Sequence, residues 1–187
     1  MKRNLIAIGA AALLAWGCAG VSVSSDYDHT ADFSQLKTYS WSPKAQPVTG
    51  DPRIDNNALL DSRVRAAVDL ELALKGFQKA STGTPDFWIA YQAAIQQKVD
   101  VMTLNNYYGY GYNRGINSMS GWDNETITTT YDEGTLILDI ADPKTNKPLW
   151  RGSGQAEVNQ NRTPEQREAK INEAVTQMLA KFPPIKK

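Results

Sequence analysis

The chain has 187 residues with 20 basic and 20 acidic side chains, one histidine and one cysteine. That length suits one domain with a proper core, and the balanced charge gives no electrostatic reason to expect nucleic acid as a partner. A lone cysteine excludes an intrachain disulfide framework.

The first residues, Met1-Lys2-Arg3, form a short positive segment, followed by an apolar run from Leu5 to Ala15 and then Trp16-Gly17-Cys18. A charged start, a short apolar stretch and small residues before a cut site make an export leader. The run is too short to remain in a bilayer as a spanning helix, and no later apolar stretch is long enough to cross one. Cys18 sits where a bacterial lipoprotein leader needs its cysteine: the thiol takes diacylglycerol, cleavage follows Gly17, and the new amino terminus is acylated. Each buried methylene then adds roughly 0.8 kcal/mol of anchoring. Trp16 is bulkier than usual at its position, and the competing reading is an ordinary leader cut nearby with Cys18 incidental. Cutting before Cys18 removes Lys2 and Arg3, leaving a mature charge of about −2. The expected organisation is a leader over 1–17 and one domain over 18–187. Ala19, where an Asp commonly retains lipoproteins in the inner membrane, favours the outer membrane, facing the periplasm.

In the mature chain, alternation of Val21, Val23 and Ser25 with polar neighbours predicts a strand over 21–27. A turn follows at 28–32, then a second strand over 36–41 carrying Thr38, Tyr39 and Trp41. Pro43, Pro47, Gly50 and Pro52 make 42–54 a loop. A helix is predicted from about Asn56 to Lys75 with the stripe Leu60, Val64, Ala67, Leu70, Leu74 and Phe77, stopped by Gly76 in the left-handed conformation. The clearest strand runs over 86–99, with Phe87, Ile89, Tyr91, Ala93 and Ile95 on one face. Residues 107–122, YYGYGYNRGINSMSGW, show neither period and are expected to be a flexible loop. Strands over 126–131 and 135–141 follow, with Gly134 read as a turn or bulge between them. Residues 142–147 form a hairpin connection, and a strand over 149–158 puts Trp150, Gly152, Gly154 and Ala156 on one face, small enough for a helix to pack closely. The last helix opens with Thr163, Pro164 and Gln166 as a capping box, carries Ile171, Val175, Met178 and Phe182, and ends at Pro183-Pro184. The order β-β-α-β-β-β-β-α predicts an α+β fold: a mainly antiparallel sheet with both helices packed on one face.

Catalysis finds little material. The only Cys is assigned to lipidation, a Ser–His–Asp set would have to use His29, and no GxSxG element is present. Asp26, Asp28, His29 and Asp32 are the one candidate for a hard cation, but they lack the Gly and terminal Glu of a calcium loop and read better as a polar turn. Residues 109–115 contain glycines without dinucleotide spacing. Trp41, Trp88 and Trp150 are expected in the core or on a sheet face. Binding through the aromatic loop is the best functional idea: Tyr108, Tyr110, Tyr112 and Trp122, beside Tyr107, would offer stacking faces, and Arg114, with Asn113, hydrogen bonds. The alternative is a disordered insertion, or aromatics folded back on the sheet edge.

Five segments together resemble the family of bacterial lipoproteins that share the domain of unknown function DUF4136. They are the leader ending at Cys18, DYDHTADFSQLKTYSW over 26–41, ALKGF over 73–77, PDFWIAYQA over 85–93, and EGTLILDIADPKTNKPLWRGSGQAE over 133–157. The resemblance implies an α+β domain located in the cell envelope, and it brings no activity with it. The expectation is a non-enzymatic structural or adaptor module without a cofactor, joined to the membrane through its lipid and facing envelope proteins or glycans. The second expectation is a glycan or small-ligand module using the loop 107–122.

Overall fold

The computed structural model describes residues 20–44, 46–105 and 124–185. The leader, Cys18 and the segment 107–122 lie outside them.

Among the described residues, six strands form one mixed, mostly antiparallel sheet. In chain order they are β1 (Ser22–Tyr27), β2 (Thr38–Trp41), β3 (Gln78–Lys79), β4 (Phe87–Asn105), β5 (Asn124–Ala141) and β6 (Pro148–Glu157). Their spatial order is β1-β6-β5-β4-β2-β3. Neighbours β1/β6, β6/β5 and β5/β4 are antiparallel, whereas β2 runs parallel to both β4 and β3. Two helices, α1 (Ala58–Leu74) and α2 (Pro164–Leu179), complete the fold. The expected α+β class and mainly antiparallel sheet therefore stand, with three differences in detail. The sheet is mixed, because β2 reaches β4 through the α1 crossover rather than through a hairpin. The two-residue strand β3 is an addition too short to show periodicity. The two strands expected either side of Gly134 are one continuous strand. Gly134 makes no turn: it pairs with Ile95, and a Cβ there would stand 2.7 Å from Val158 Cγ2, so the glycine admits a close side-chain approach.

Strand alternation fixes which side chains go inward. Ile89 and Tyr91 of β4, Leu138 and Ile140 of β5, and Trp150 of β6 join Val64, Val68 and Leu72 of α1 and Val175, Met178 and Leu179 of α2 in one core cluster. Gly154 lets α2 come down on the sheet, since a Cβ there would lie 3.3 Å from Met178 Sδ. The cap of α2 forms as expected: Thr163 Oγ1 accepts from the Gln166 N–H, and Gln166 Oε1 accepts from the Thr163 N–H. Helix α1 closes at Gly76, φ +87°, with Phe77 N–H donating to Leu72 O and Gly76 N–H to Ala73 O.

The stripe expected for α1 needs correction in its second half. Leu70 and Leu74 are 60% and 73% exposed, whereas Val68 and Leu72 are fully buried. With about 100° between successive residues, Leu72 falls on the Val68 flank of Val64, and Leu70 and Leu74 on the opposite flank. Two aspartates on the buried side attach α1 to the sheet. Asp69 accepts from Tyr39 Oη at 2.9 Å, Trp41 Nε1 at 3.0 Å and Lys79 Nζ at 2.8 Å. Asp61 accepts from Tyr91 Oη at 3.0 Å and pairs with Arg65, whose guanidinium lies 4.4 Å from the Trp41 ring centroid.

Strands β4 and β5 outrun the rest of the sheet. Partner β6 accompanies β5 over 133–141, and β2 accompanies β4 over 87–89 only. Beyond Gln97 and Asp132 the two strands continue as a ribbon of their own, pairing as far as Asn105 with Asn124. Val99 and Val101 are 59% and 63% exposed on it.

Candidate functional site

Helices α1 and α2 run the same way across the sheet. Near their C-terminal ends Thr176 Oγ1 donates to Glu71 at 2.6 Å, and just beyond them the Phe77 and Phe182 rings meet at 5.4 Å. That end is filled, with Phe87, Trp150 and Phe182 fully buried. The opposite end, where both helices begin, is not. There the sheet carries small residues under the helices (Ala93, Gly134, Gly154 and Ala156), and they leave an open cleft of about 460 Å³. Leu60 and Val64 of α1 and Ile171 and Ala174 of α2 form its helical walls, and Ile95, Leu136 and Val158 complete an aliphatic floor. Its volume lies within the roughly 300–1,000 Å³ of small-molecule sites.

The rim is cationic. Arg53, Arg63, Arg162, Arg167 and Lys170 line the cleft against one carboxylate, that of Glu157. Two of these charges are spent locally. Arg53 bonds Asp51 at 2.7 Å and Asp132 at 2.5 Å, interactions that hold its guanidinium pKa above the ordinary value, and Lys170 pairs with Glu173 at 2.9 Å. Arg162 and Arg167 are different. Arg162 Nη1 donates to Glu157 O at 2.9 Å and Arg167 Nη2 to Gln160 O at 2.8 Å. Both are thus tied over the connection between β6 and α2, and among the described residues neither forms an ion pair. Close by, the Glu165 carboxyl is held low by a main-chain N–H, then by Thr163, with Arg63 attracting it from further away. Such a site can bind and orient an anionic group beside an apolar surface.

None of the described residues singled out from sequence as a site lines the cleft. Cys18 and the aromatic set Tyr108, Tyr110, Tyr112, Arg114 and Trp122 lie outside the described residues, the aromatic set belonging to the connection between Asn105 and Asn124. The acidic turn is occupied with local work. Asp28 accepts from Thr30 and pairs with Lys147 at 2.5 Å, which, with Thr30, holds its carboxyl far below the ordinary range. Asp32 caps a short 3-10 turn (Phe33–Gln35) through the Ser34 N–H, and the His29 ring packs on Tyr27 at 4.5 Å. Among the described residues no three His, Cys, Asp or Glu side chains gather as a metal would require. Trp150 is in the core, and Trp41 and Trp88 are partly buried on the sheet.

The cleft was missed from sequence, yet two signals for it are present. One is the run of small residues on the inward face of the strands where larger ones would pack. The other is basic residues gathered at the helix starts, where the macrodipole favours acidic ones.

The solved structures that resemble this fold are distant. A PDZ domain protein from Parabacteroides distasonis superposes with a TM-score of 0.55 at 15% identity over 90% of this chain, which spans 37% of that structure's length. Two PelC dodecamer structures from Paraburkholderia phytofirmans give TM-scores of 0.42 and 0.44 at 8% and 7% identity, covering 86% of this chain and 95% of theirs. No curated protein matches the chain. The family model described as Domain of unknown function (DUF4136) matches residues 23–184, and the chain belongs to that family.

Proposed function

We propose that this protein is a non-enzymatic binding module of the bacterial cell envelope, held to the membrane by lipid on Cys18 and receiving a small ligand in the cleft between its two helices and the sheet. The observation that carries the reading is the cleft itself. One end of the helix–sheet layer is packed shut by aromatics, and the other is left open over small residues with arginines at its mouth. Its lining favours binding over catalysis. Among the described residues lining it, one is a carboxylate and none is Cys, His or Ser, and the charged remainder is cationic, a set that suits holding an anion. Tethering suits such a role, because a lipid-anchored domain samples the membrane surface at high local concentration. The adaptor role fits the same body, with ligand occupancy altering the surface around α1 and α2.

The test is mass spectrometry in two parts on the full chain extracted from membranes. Denaturing intact mass, beside a Cys18→Ala variant, should show loss of residues 1–17 plus acyl chains in the wild type alone. Non-denaturing mass should show a small-molecule adduct that Ala156→Phe removes and a Tyr108→Ser, Tyr110→Ser, Tyr112→Ser triple variant retains. An adduct lost from the tyrosine variant instead would move the site to the aromatic segment and sink the cleft reading.

A further inference from the structure

We propose that the cleft takes a free, single-chain anionic amphiphile, its alkyl chain on the sheet floor and its terminal oxyanion at Arg162 and Arg167. The proposal rests on reading the cleft as the binding site and adds the class of ligand.

Three features select that class. First, the floor and walls are aliphatic. None of the described residues lining the cleft is aromatic, so sugars and nucleobases find no face to stack on, while an alkyl chain is matched by Ile95, Leu136 and Ala156. Second, about 460 Å³ lies toward the small end of ligand sites, which suits one chain better than a two-chain lipid. Third, positive charge is concentrated at the mouth although each first turn already carries its acid, Asp61 or Glu165. Cations stabilise the last turn of a helix and strain the first. Lys75 caps the end of α1 and Lys181 follows that of α2, whereas Arg167 stands one turn into α2 and Arg162 just before its N-cap, where helix stability does not call for them. Their main-chain bonds fix both guanidiniums beside the mouth without neutralising them. A guanidinium with N–H donors to spare is the group that best holds a carboxylate or phosphate oxygen.

One occupant from the protein itself competes. Val21 lines the cleft only three residues after Cys18, so an anchor acyl chain would reach it. Acyl chains on a lipidated cysteine are ester- or amide-linked and carry no terminal oxyanion, which leaves the arginine pair without a purpose. The free molecule accounts for both halves of the site.

The experiment uses the full chain in nanodiscs of neutral phosphatidylcholine. It is exposed to a photoactivatable diazirine derivative of dodecanoate, and in parallel to the corresponding dodecanol, with crosslinks mapped by peptide mass spectrometry. The carboxylate should label Ala93–Ile95, Leu136, Ala156 or Ile171. Arg162→Glu with Arg167→Glu should lower that labelling by about tenfold or more, and raised salt should lower it in the wild type. Ala156→Phe should also block it; should that variant melt without cooperativity, the arginine pair, on the rim, decides alone. Equal labelling of the cleft by the alcohol, unaffected by the arginine changes, overturns the anionic class while leaving the cleft as a site. Labelling outside the cleft by both reagents overturns the site and the class together. Labelling of the cleft in Cys18→Ala but not in the lipidated wild type identifies the anchor chain as occupant and overturns the free ligand.

Discussion

Replacing Asp69 by Ala removes one carboxylate and leaves three donors without their acceptor: Tyr39 Oη, Trp41 Nε1 and Lys79 Nζ. The lysine is about half exposed, so its share is within the 0–1 kcal/mol of surface pairs. Tyr39 is 2% exposed and Trp41 partly buried. A hydrogen bond to a charged group contributes about 1.5–3 kcal/mol, and water can replace part of it at Trp41. The expected loss is therefore about 2–4 kcal/mol, which for a domain of this size lowers Tm by roughly 5–15 °C. Urea unfolding followed by tryptophan fluorescence measures it, with an unchanged m-value showing that the native and denatured states keep their compactness. Tyr39→Phe alone should cost about 1.5–3 kcal/mol. In the double variant the two losses should fall short of additivity by a comparable amount, because the phenol has nothing left to lose once the carboxylate is gone. A loss below about 1 kcal/mol for Asp69→Ala, or strict additivity, would refute the claim that this carboxylate clamps α1 to β2.

Acid stability should depend on Asp86, which accepts from the main-chain N–H groups of Thr38 and Lys37 and from the Thr38 hydroxyl, contacts that hold its carboxyl below the ordinary 3.8. A depressed carboxyl contributes stability that is complete above its unfolded value and lost as pH falls through the folded one. The urea-midpoint gap between wild type and Asp86→Asn should thus shrink from about pH 6 to pH 3; a constant gap contradicts the assignment. Gly134→Ala should destabilise by about 1–3 kcal/mol through overpacking on Val158, with Val158→Ala added to it restoring most of the loss in a thermal melt. Leu72→Ala should cost about 2–5 kcal/mol and Leu74→Glu less than about 0.5. Similar losses for both would mean that α1 is rotated from the orientation described.

The elements that were legible in the sequence are those whose signals are local. Thr163-Pro164 with Gln166 marks a helix start by chemistry confined to one turn, and Gly76 marks a stop by a single dihedral. The alternation in β4 carries its face assignment without reference to any partner. What escaped depends on neighbours distant in sequence. The parallel placement of β2 beside β4 follows from where α1 delivers the chain, which no residue in 38–41 records. Leu70 and Leu74 continue a three- and four-residue spacing as well as Val68 and Leu72 do, and only α2 and the sheet decide which flank is covered. The cleft is the strongest case. It is made by side chains that are too small, spread over β4, β5 and β6, and by arginines that approach it from two separate helix starts. The acidic turn drew attention as a cation site because its residues are adjacent in sequence. Each carboxylate there turned out to have a main-chain N–H or a lysine of its own.

The β4–β5 ribbon has a consequence for how this protein can change. From Gln97 to Asn105 the strands advance about 3.3 Å per residue, so the ends that carry the 106–123 connection stand some 25–30 Å past the last three-stranded row. On the described part of the ribbon, Val99 and Val101 stand exposed and outside the core cluster. The prediction is that lengthening the connection adds only closure entropy, about 0.6 kcal/mol per doubling, and that exchanging it leaves the melt of the packed layers where it was. If the ribbon acts as a spacer between that connection and the packed layers, a set of chimaeras exchanged at Asn105 and Asn124 should share a single Tm within a few degrees.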